Sequence, residues 1–184
     1  MTTSLSTALL TDHYELTMID AALANGTAHR RCLFEVFTRR LPAGRRYGVF
    51  VGGGRVLEDL ARFQFGDEEL SFLSKRKIVS PQTLDWLANY RFTGNITGFA
   101  EGECYFPNTP LMVVESTFAE AVVLETLVLS ILNYDSAVAA AASRMTSAAL
   151  DRPCLEMGAR RANEEAAIAA ARAAVIAGFV GTSD

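Results

Sequence analysis

Residues 152–184 constrain the fold more than any other stretch. "RPCLEMG" (152–158) is a short apolar run, "NEEAAIAAARAAVIAG" (163–178) is an alanine-rich helical stretch ending at Gly178, and "FVGTSD" (179–184) is a second short apolar run. Strand, helix and strand in that order predict one βαβ unit, because parallel strands need a crossover longer than any hairpin. A parallel barrel cannot close on one unit and the start of a second, so the architecture reads as cut off. The same junctions draw attention to side chains. Arg160 and Arg161 follow the first strand, and Thr182 and Ser183 follow the second, at the carboxyl ends where α/β folds gather their ligands.

The upstream texture differs. "CLFEVFTRRLPAGRRYGVFVGGGRVLEDL" (32–60) reads as a strand, a Pro/Gly/Arg turn, a second short strand, a glycine turn and a helix beginning near Val56. "GDEELSFLSKRKIVSPQTLDWLANY" (66–90) has helical spacing with a Ser-Pro break, and "RFTGNITGFAEGECYFPNTPLMVVES" (91–116) alternates and turns at "PNTP" as antiparallel strands do. We therefore expect an α/β chain: an α+β lobe over 1–115, then over 116–184 a helical segment and the first βαβ unit of an irregular, incomplete β/α barrel.

Residues 117–150 are the most hydrophobic stretch. Glu120, Glu125, Asp135 and Arg144 keep every uncharged run well below the roughly 20 residues of a membrane span, so the stretch predicts a buried core helix. "NYDS" (133–136) offers a break and a fresh cap, leaving one long helix and two packed helices equally open.

Charge narrows the partners. With 17 basic against 21 acidic residues the net charge is −4, and no global positive field exists to attract nucleic acid. Cys32, Cys104 and Cys154 are too far apart for a zinc-site spacing and predict buried, reduced thiols; no metal site is predicted from this chain. The opening residues lack a basic segment followed by a long apolar one, which predicts a cytoplasmic protein.

Several residue groups admit two readings. Asp12 with Glu15 three residues on fits a capping box at a helix start. Arg160 and Arg161 suit phosphate, since a guanidinium donates two hydrogen bonds to one group, or they form salt bridges to Glu164 and Glu165. "VGGGR" (51–55) lacks the spacing of a phosphate loop and predicts a turn into a helix. Arg39 and Arg40 stand at a strand end, either solvated or facing an anion. His13 has no acid or nucleophile at a telling distance, and no catalytic role is assigned to it or to His29.

"LLTDHYELTM", "FEVFTRRLP", "EGECYFPNTPLMVVE", "VLETLVLSILNYDSAVAAAASRM", "EMGARRA" and "GFVGTSD" occur in the order in which nicotinate phosphoribosyltransferases present their counterparts. Over its whole length the chain resembles the N-terminal portion of that family, its actinobacterial members most. The resemblance implies a type II phosphoribosyltransferase fold. It also implies conversion of nicotinate and phosphoribosyl pyrophosphate, with ATP and Mg²⁺, to nicotinate mononucleotide and pyrophosphate in NAD salvage. It implies a homodimer with shared active sites, Tyr14 and Met157 against the pyridine, and Arg160, Arg161, Arg39, Thr182 and Ser183 toward phosphoribosyl pyrophosphate. The phosphorylated histidine of the family is expected beyond Asp184, and Asp184 stands where the family carries asparagine. Two alternatives stay open: a non-catalytic remnant that retains a dimerisation surface, and a phosphoribosyltransferase for nicotinamide.

Overall fold

The computed structural model describes residues 6–183. Its elements follow the order α1 (His13–Ala24), β1 (Arg31–Val36), β2 (Gly48–Val49), α2 (Gly53–Ala61), α3 (Asp67–Arg76), α4 (Pro81–Ala88), β3 (Asn95–Gly98), β4 (Cys104–Tyr105), β5 (Met112–Thr117), α5 (Phe118–Val122), α6 (Glu125–Ala149), β6 (Leu155–Glu156), α7 (Glu164–Ile176) and β7 (Gly181–Thr182). A 3-10 turn at Ala159–Arg161 links β6 to α7. The strands form a three-stranded sheet in the order β1-β5-β3 and two pairs, β2-β4 and β6-β7. The chain is thus mixed α and β. It divides into two compact units: one from the described residues of Met1–Glu35, Arg55–Thr97 and Val113–Leu129, the other from those of Val36–Gly54, Gly98–Met112 and Ser130–Asp184.

In the first unit, α1 starts at Asp12, whose extended backbone makes it the N-cap, and it buries Leu16, Ile19 and Ala22 on one face. Asn25 ends it, and Gly26 follows at φ 77, a left-handed conformation that glycine reaches without a Cβ penalty. The Ser-Pro signal marks the start of α4: the Ser80 hydroxyl caps Thr83 N–H, and Pro81 occupies the first position, where no amide proton is needed. Asp20 on α1 accepts from Ser80 N–H (2.9 Å) and the Thr83 hydroxyl (2.6 Å), so α1 and α4 are fastened at that cap. Phe63, Phe65 and Tyr90 pack edge to face at 5.6–6.2 Å, and the buried Tyr90 hydroxyl donates to Glu120 O at 3.0 Å.

In the second unit, β2 and β4 run antiparallel with Gly48 opposite Tyr105, and Val49, Val51, Ala139 and Ala173 form a small core. Removing such apolar surface from water contributes roughly 1.5–3 kcal/mol per large side chain. The predicted βαβ unit is present, with β6 and β7 parallel and Gly178 in a left-handed conformation (φ 105) just past α7.

One open choice is decided and three expectations need correction. At "NYDS" the single helix holds: α6 continues through it, and the interruption falls earlier, at Val123 and Leu124. Asp135 and Ser136 are buried, and the Ser136 hydroxyl bonds both the N–H and the C=O of Val51, so it is committed to a neighbouring loop and unavailable for capping. "PNTP" does not join neighbouring strands either. β4 and β5 belong to different sheets, because Asn108 N–H donates to Thr38 O and Leu111 N–H to Val36 O (each 2.8 Å), drawing the turn onto the loop after β1. The cysteines are free thiols but none is buried; Cys104 is exposed, and Cys32 and Cys154 are half-buried. Finally, α2 starts at Gly53, three residues before Val56.

The helical run Phe118–Ala149 has the length and hydropathy to cross a membrane, yet 56% of its most apolar window is buried inside the protein. That is the behaviour of a core helix.

Candidate functional site

The βαβ unit builds a groove. After β6 the chain passes Met157 and Gly158 into the 3-10 turn, which places Arg160 ahead of the α7 N-terminus. Glu156 pairs in register with Thr182, and Ser183 N–H donates to Glu156 O at 2.9 Å, so the ends of β6 and β7 lie side by side. Asn163 caps α7 by accepting from Ala166 N–H (2.8 Å). Arg160, Ala159, Glu164, Ala167, Ile168 and Thr182 line a groove of about 650 Å³. A second groove of about 660 Å³ shares Thr182 and Ile168 and reaches Arg172 and Glu101.

Arg160 and Thr182, two residues singled out from sequence, therefore meet on one surface. Arg161, Met157, Ser183 and Arg39 are exposed in the same unit but do not line that groove. The salt-bridge reading of the two arginines fails: among the described residues neither pairs with Glu164 or Glu165. Asp184 lies outside the described residues. The Glu156 carboxylate turns back on the strand end, with Oε1 accepting Gly158 N–H at 2.5 Å. A Cβ on Gly158 would come 2.6 Å from that oxygen, so a side chain there would displace it. Chemically the groove presents the Arg160 guanidinium to an anion, with Thr182 and the Glu164 carboxylate among its lining residues.

The glycine run is a helix start with two of its amides already taken. Gly52 N–H and Gly54 N–H donate to Glu101 Oε1 at 2.8 and 3.3 Å, and Arg172 of α7 holds the same carboxylate through both oxygens. The Arg172 hydrogen bond, outweighing the opposing effect of burial, holds the Glu101 carboxyl below its ordinary range, helped by the Gly52 amide.

Tyr14 sits in the first turn of α1 with 46% of its surface exposed. Desolvation, and then the Glu125 carboxylate beside it, push its phenol above the ordinary tyrosine range. Glu15, the next residue, is fully buried: its Oε2 accepts from Asp12 N–H (3.2 Å) and the Thr11 hydroxyl. Its Oε1 takes the N–H and hydroxyl of Thr126, at 2.9 and 2.6 Å. The capping box was visible in sequence; the second half of the arrangement, 111 residues away, carries no local signal. Asp12 keeps its capping role, and His13 and His29 are both exposed.

Comparison with known proteins places this geometry in a class. The family model for the nicotinate phosphoribosyltransferase (NAPRTase) N-terminal domain matches residues 9–133. Nicotinate phosphoribosyltransferase pncB1 of Mycobacterium tuberculosis is 56% identical over 176 residues, covering 96% of this chain and 39% of the relative. The nicotinate phosphoribosyltransferase of Bacillus subtilis is 38% identical, with coverages of 97% and 37%. The crystal structure of human nicotinic acid phosphoribosyltransferase superposes with a TM-score of 0.87 at 28% identity, over 95% of this chain and 36% of that one. A nicotinate-nucleotide pyrophosphorylase from Pyrococcus furiosus, at 24% identity and TM-score 0.75, shares the fold, covering 100% of this chain and 41% of its own. The fold is the one shared by that human phosphoribosyltransferase and that pyrophosphorylase. The chain belongs to the nicotinate phosphoribosyltransferase family, and it spans 39% of the length of the first of these relatives.

Proposed function

We propose that these residues form the N-terminal part of a nicotinate phosphoribosyltransferase that joins nicotinate to phosphoribosyl pyrophosphate in NAD salvage. The observation that carries this reading is the meeting of Arg160 and Thr182 on one groove at the carboxyl ends of the parallel pair β6-β7. In the reaction the pyridine nitrogen forms a bond to the sugar carbon while the bond to pyrophosphate breaks, the leaving group taking the electron pair. Negative charge grows on the departing oxygen, and a guanidinium fixed beforehand in the groove stabilises it without reorganising. Arg160 is assigned this contact, with Arg161, Arg39, Thr182 and Ser183 as further holders of the phosphates and ribose. Met157 through its polarisable thioether, and Tyr14 supplied by the neighbouring subunit of a dimer, are assigned to the faces of the pyridine ring.

ATP and Mg²⁺ belong to the proposal at the level of the whole enzyme. Among the described residues no group of three or more His, Cys, Asp or Glu side chains is arranged to hold a metal ion. The phosphorylatable histidine is assigned to chain beyond Asp184. We further propose a cytoplasmic homodimer, a lobe over 1–115, and a β/α barrel begun by 116–184 and completed by later residues.

The test is direct. Residues 1–184, incubated with nicotinate, phosphoribosyl pyrophosphate, ATP and Mg²⁺, should yield no nicotinate mononucleotide, whereas a chain continued to the length of the relatives should. Mononucleotide from the shorter chain would overturn the division of labour, and its absence from the longer one would overturn the assigned reaction.

A further inference from the structure

We propose that Glu15 is a positioning residue whose buried carboxylate, shared between two helix starts, sets the ring of Tyr14; this rests on the reading of Tyr14 as a nicotinate contact.

A fully buried carboxylate is costly unless its lone pairs are filled. Glu15 fills them with four donors: the Thr11 hydroxyl and Asp12 N–H just before α1, and the N–H and hydroxyl of Thr126 in the first turn of α6. The Asp12 N–H bond is the ordinary capping-box contact of a glutamate in the third position and serves to start α1. What the second pair adds is a joint between α1 and α6, with the charge lying at the positive ends of both helices. That joint is local to the aromatic. Tyr14 and Glu125 are the sequence neighbours of Glu15 and Thr126, and the Tyr14 phenol lies against the Glu125 carboxylate. Leu16 and Ile19 are buried while Tyr14 and Met18 stand exposed, so a rotation of α1 that freed Glu15 would carry the Tyr14 ring with it. A tyrosine has only two rotatable side-chain bonds, and its ring position follows from the placement of its backbone. Misplacement on the order of an ångström is enough to weaken a reacting complex severely.

In a full-length enzyme carrying these residues, Glu15→Gln replaces one accepting oxygen by an NH₂ group that faces donors. The expected result is a rise in nicotinate KM of roughly fivefold or more, with kcat and the KM for phosphoribosyl pyrophosphate within about twofold of the parent. Thr126→Val, which keeps the backbone N–H and loses the hydroxyl, should shift the same constant in the same direction, and it supplies the readout if Glu15→Gln does not fold. The deciding measurement is the cycle with Tyr14→Ala: in that background Glu15→Gln or Thr126→Val should add nothing. A second substitution that adds its full effect there, or one that lowers all kinetic constants together, overturns the positioning role alone. A Tyr14→Ala enzyme with unchanged nicotinate KM overturns the reading of Tyr14 and the proposal with it.

Discussion

Arg172 and Glu101 meet fork to fork, Nη1 on Oε1 at 2.9 Å and Nη2 on Oε2 at 2.5 Å, joining the middle of α7 to a carboxylate that also caps Gly52 and Gly54. Two parallel charge-assisted bonds make this a well-defined ion pair. Arg172→Ala should destabilise the protein by roughly 1–3 kcal/mol, since the half-buried Glu101 keeps its charge and loses its main donor. Arg172→Lys should recover only part of that, an ammonium being unable to reproduce the fork. Urea denaturation at neutral pH measures both, and a wild-type midpoint for Arg172→Ala would refute the assignment.

The same pair predicts a pH dependence. The folded Glu101 carboxyl titrates below its ordinary value of 4.5. A depressed folded pKa contributes stability that is fully present above the unfolded value and is lost as pH falls through the folded one. Glu101→Gln should therefore flatten the decline of stability on the acid side, below about pH 4.5. A parallel decline in variant and parent, followed by thermal melts from pH 6 down to pH 3, would show that other carboxylates carry it.

Tyr14→Ala should raise the nicotinate KM of a full-length enzyme by an amount equivalent to ~1 kcal/mol or somewhat more, from the loss of aromatic contact. Steady-state kinetics with nicotinate varied at saturating phosphoribosyl pyrophosphate reads this directly. Unchanged kinetics would remove Tyr14 from the site.

Arg160→Ala should weaken the use of phosphoribosyl pyrophosphate by about 2 kcal/mol, because a charge-assisted phosphate contact disappears. Arg160 makes no ion pair among the described residues, so its loss should leave the melting temperature nearly unchanged. A kcat/KM equal to that of the parent would leave the groove without its anion contact.

Gly48 lies under the Tyr105 ring in the β2-β4 pair, and a Cβ there would fall inside the ring's van der Waals envelope. Because the ring is buried and cannot swing away freely, Gly48→Ala should destabilise the protein by about 1–3 kcal/mol. Combined with Tyr105→Ala the cost should fall well short of the sum, which a double-mutant cycle in urea would reveal.

What could be read beforehand was local. The βαβ unit followed from apolar runs flanking an alanine-rich helix, and the α1 start from Asp12 and Glu15, because periodicity and capping act within a few residues. Tertiary partners were invisible. Nothing near Ser136 announces Val51, and nothing near the glycines announces Glu101 or, beyond it, Arg172. The choice left open at "NYDS" has the same origin: polar residues that look like a cap serve a neighbouring loop. Arg160 and Thr182 could be expected on one surface because the ends of adjacent parallel strands lie side by side, whatever their separation in sequence.

The two compact units are each stitched from three separated segments, with the chain passing between them at Glu35, Gly54, Thr97, Met112 and Leu129. A ribosome emitting this sequence finishes the first unit only when Leu129 has emerged. By then two segments of the second, Val36–Gly54 and Gly98–Met112, are already outside and waiting for α7. The apolar side chains of Val49 and Val51, whose core partners Ala139 and Ala173 come later, must stay clear of other chains during that interval, which is the hazard that late long-range contacts bring. Synthesis slowed between Leu129 and α7 should therefore favour aggregation of the nascent protein, while slowing after α7 has emerged should not.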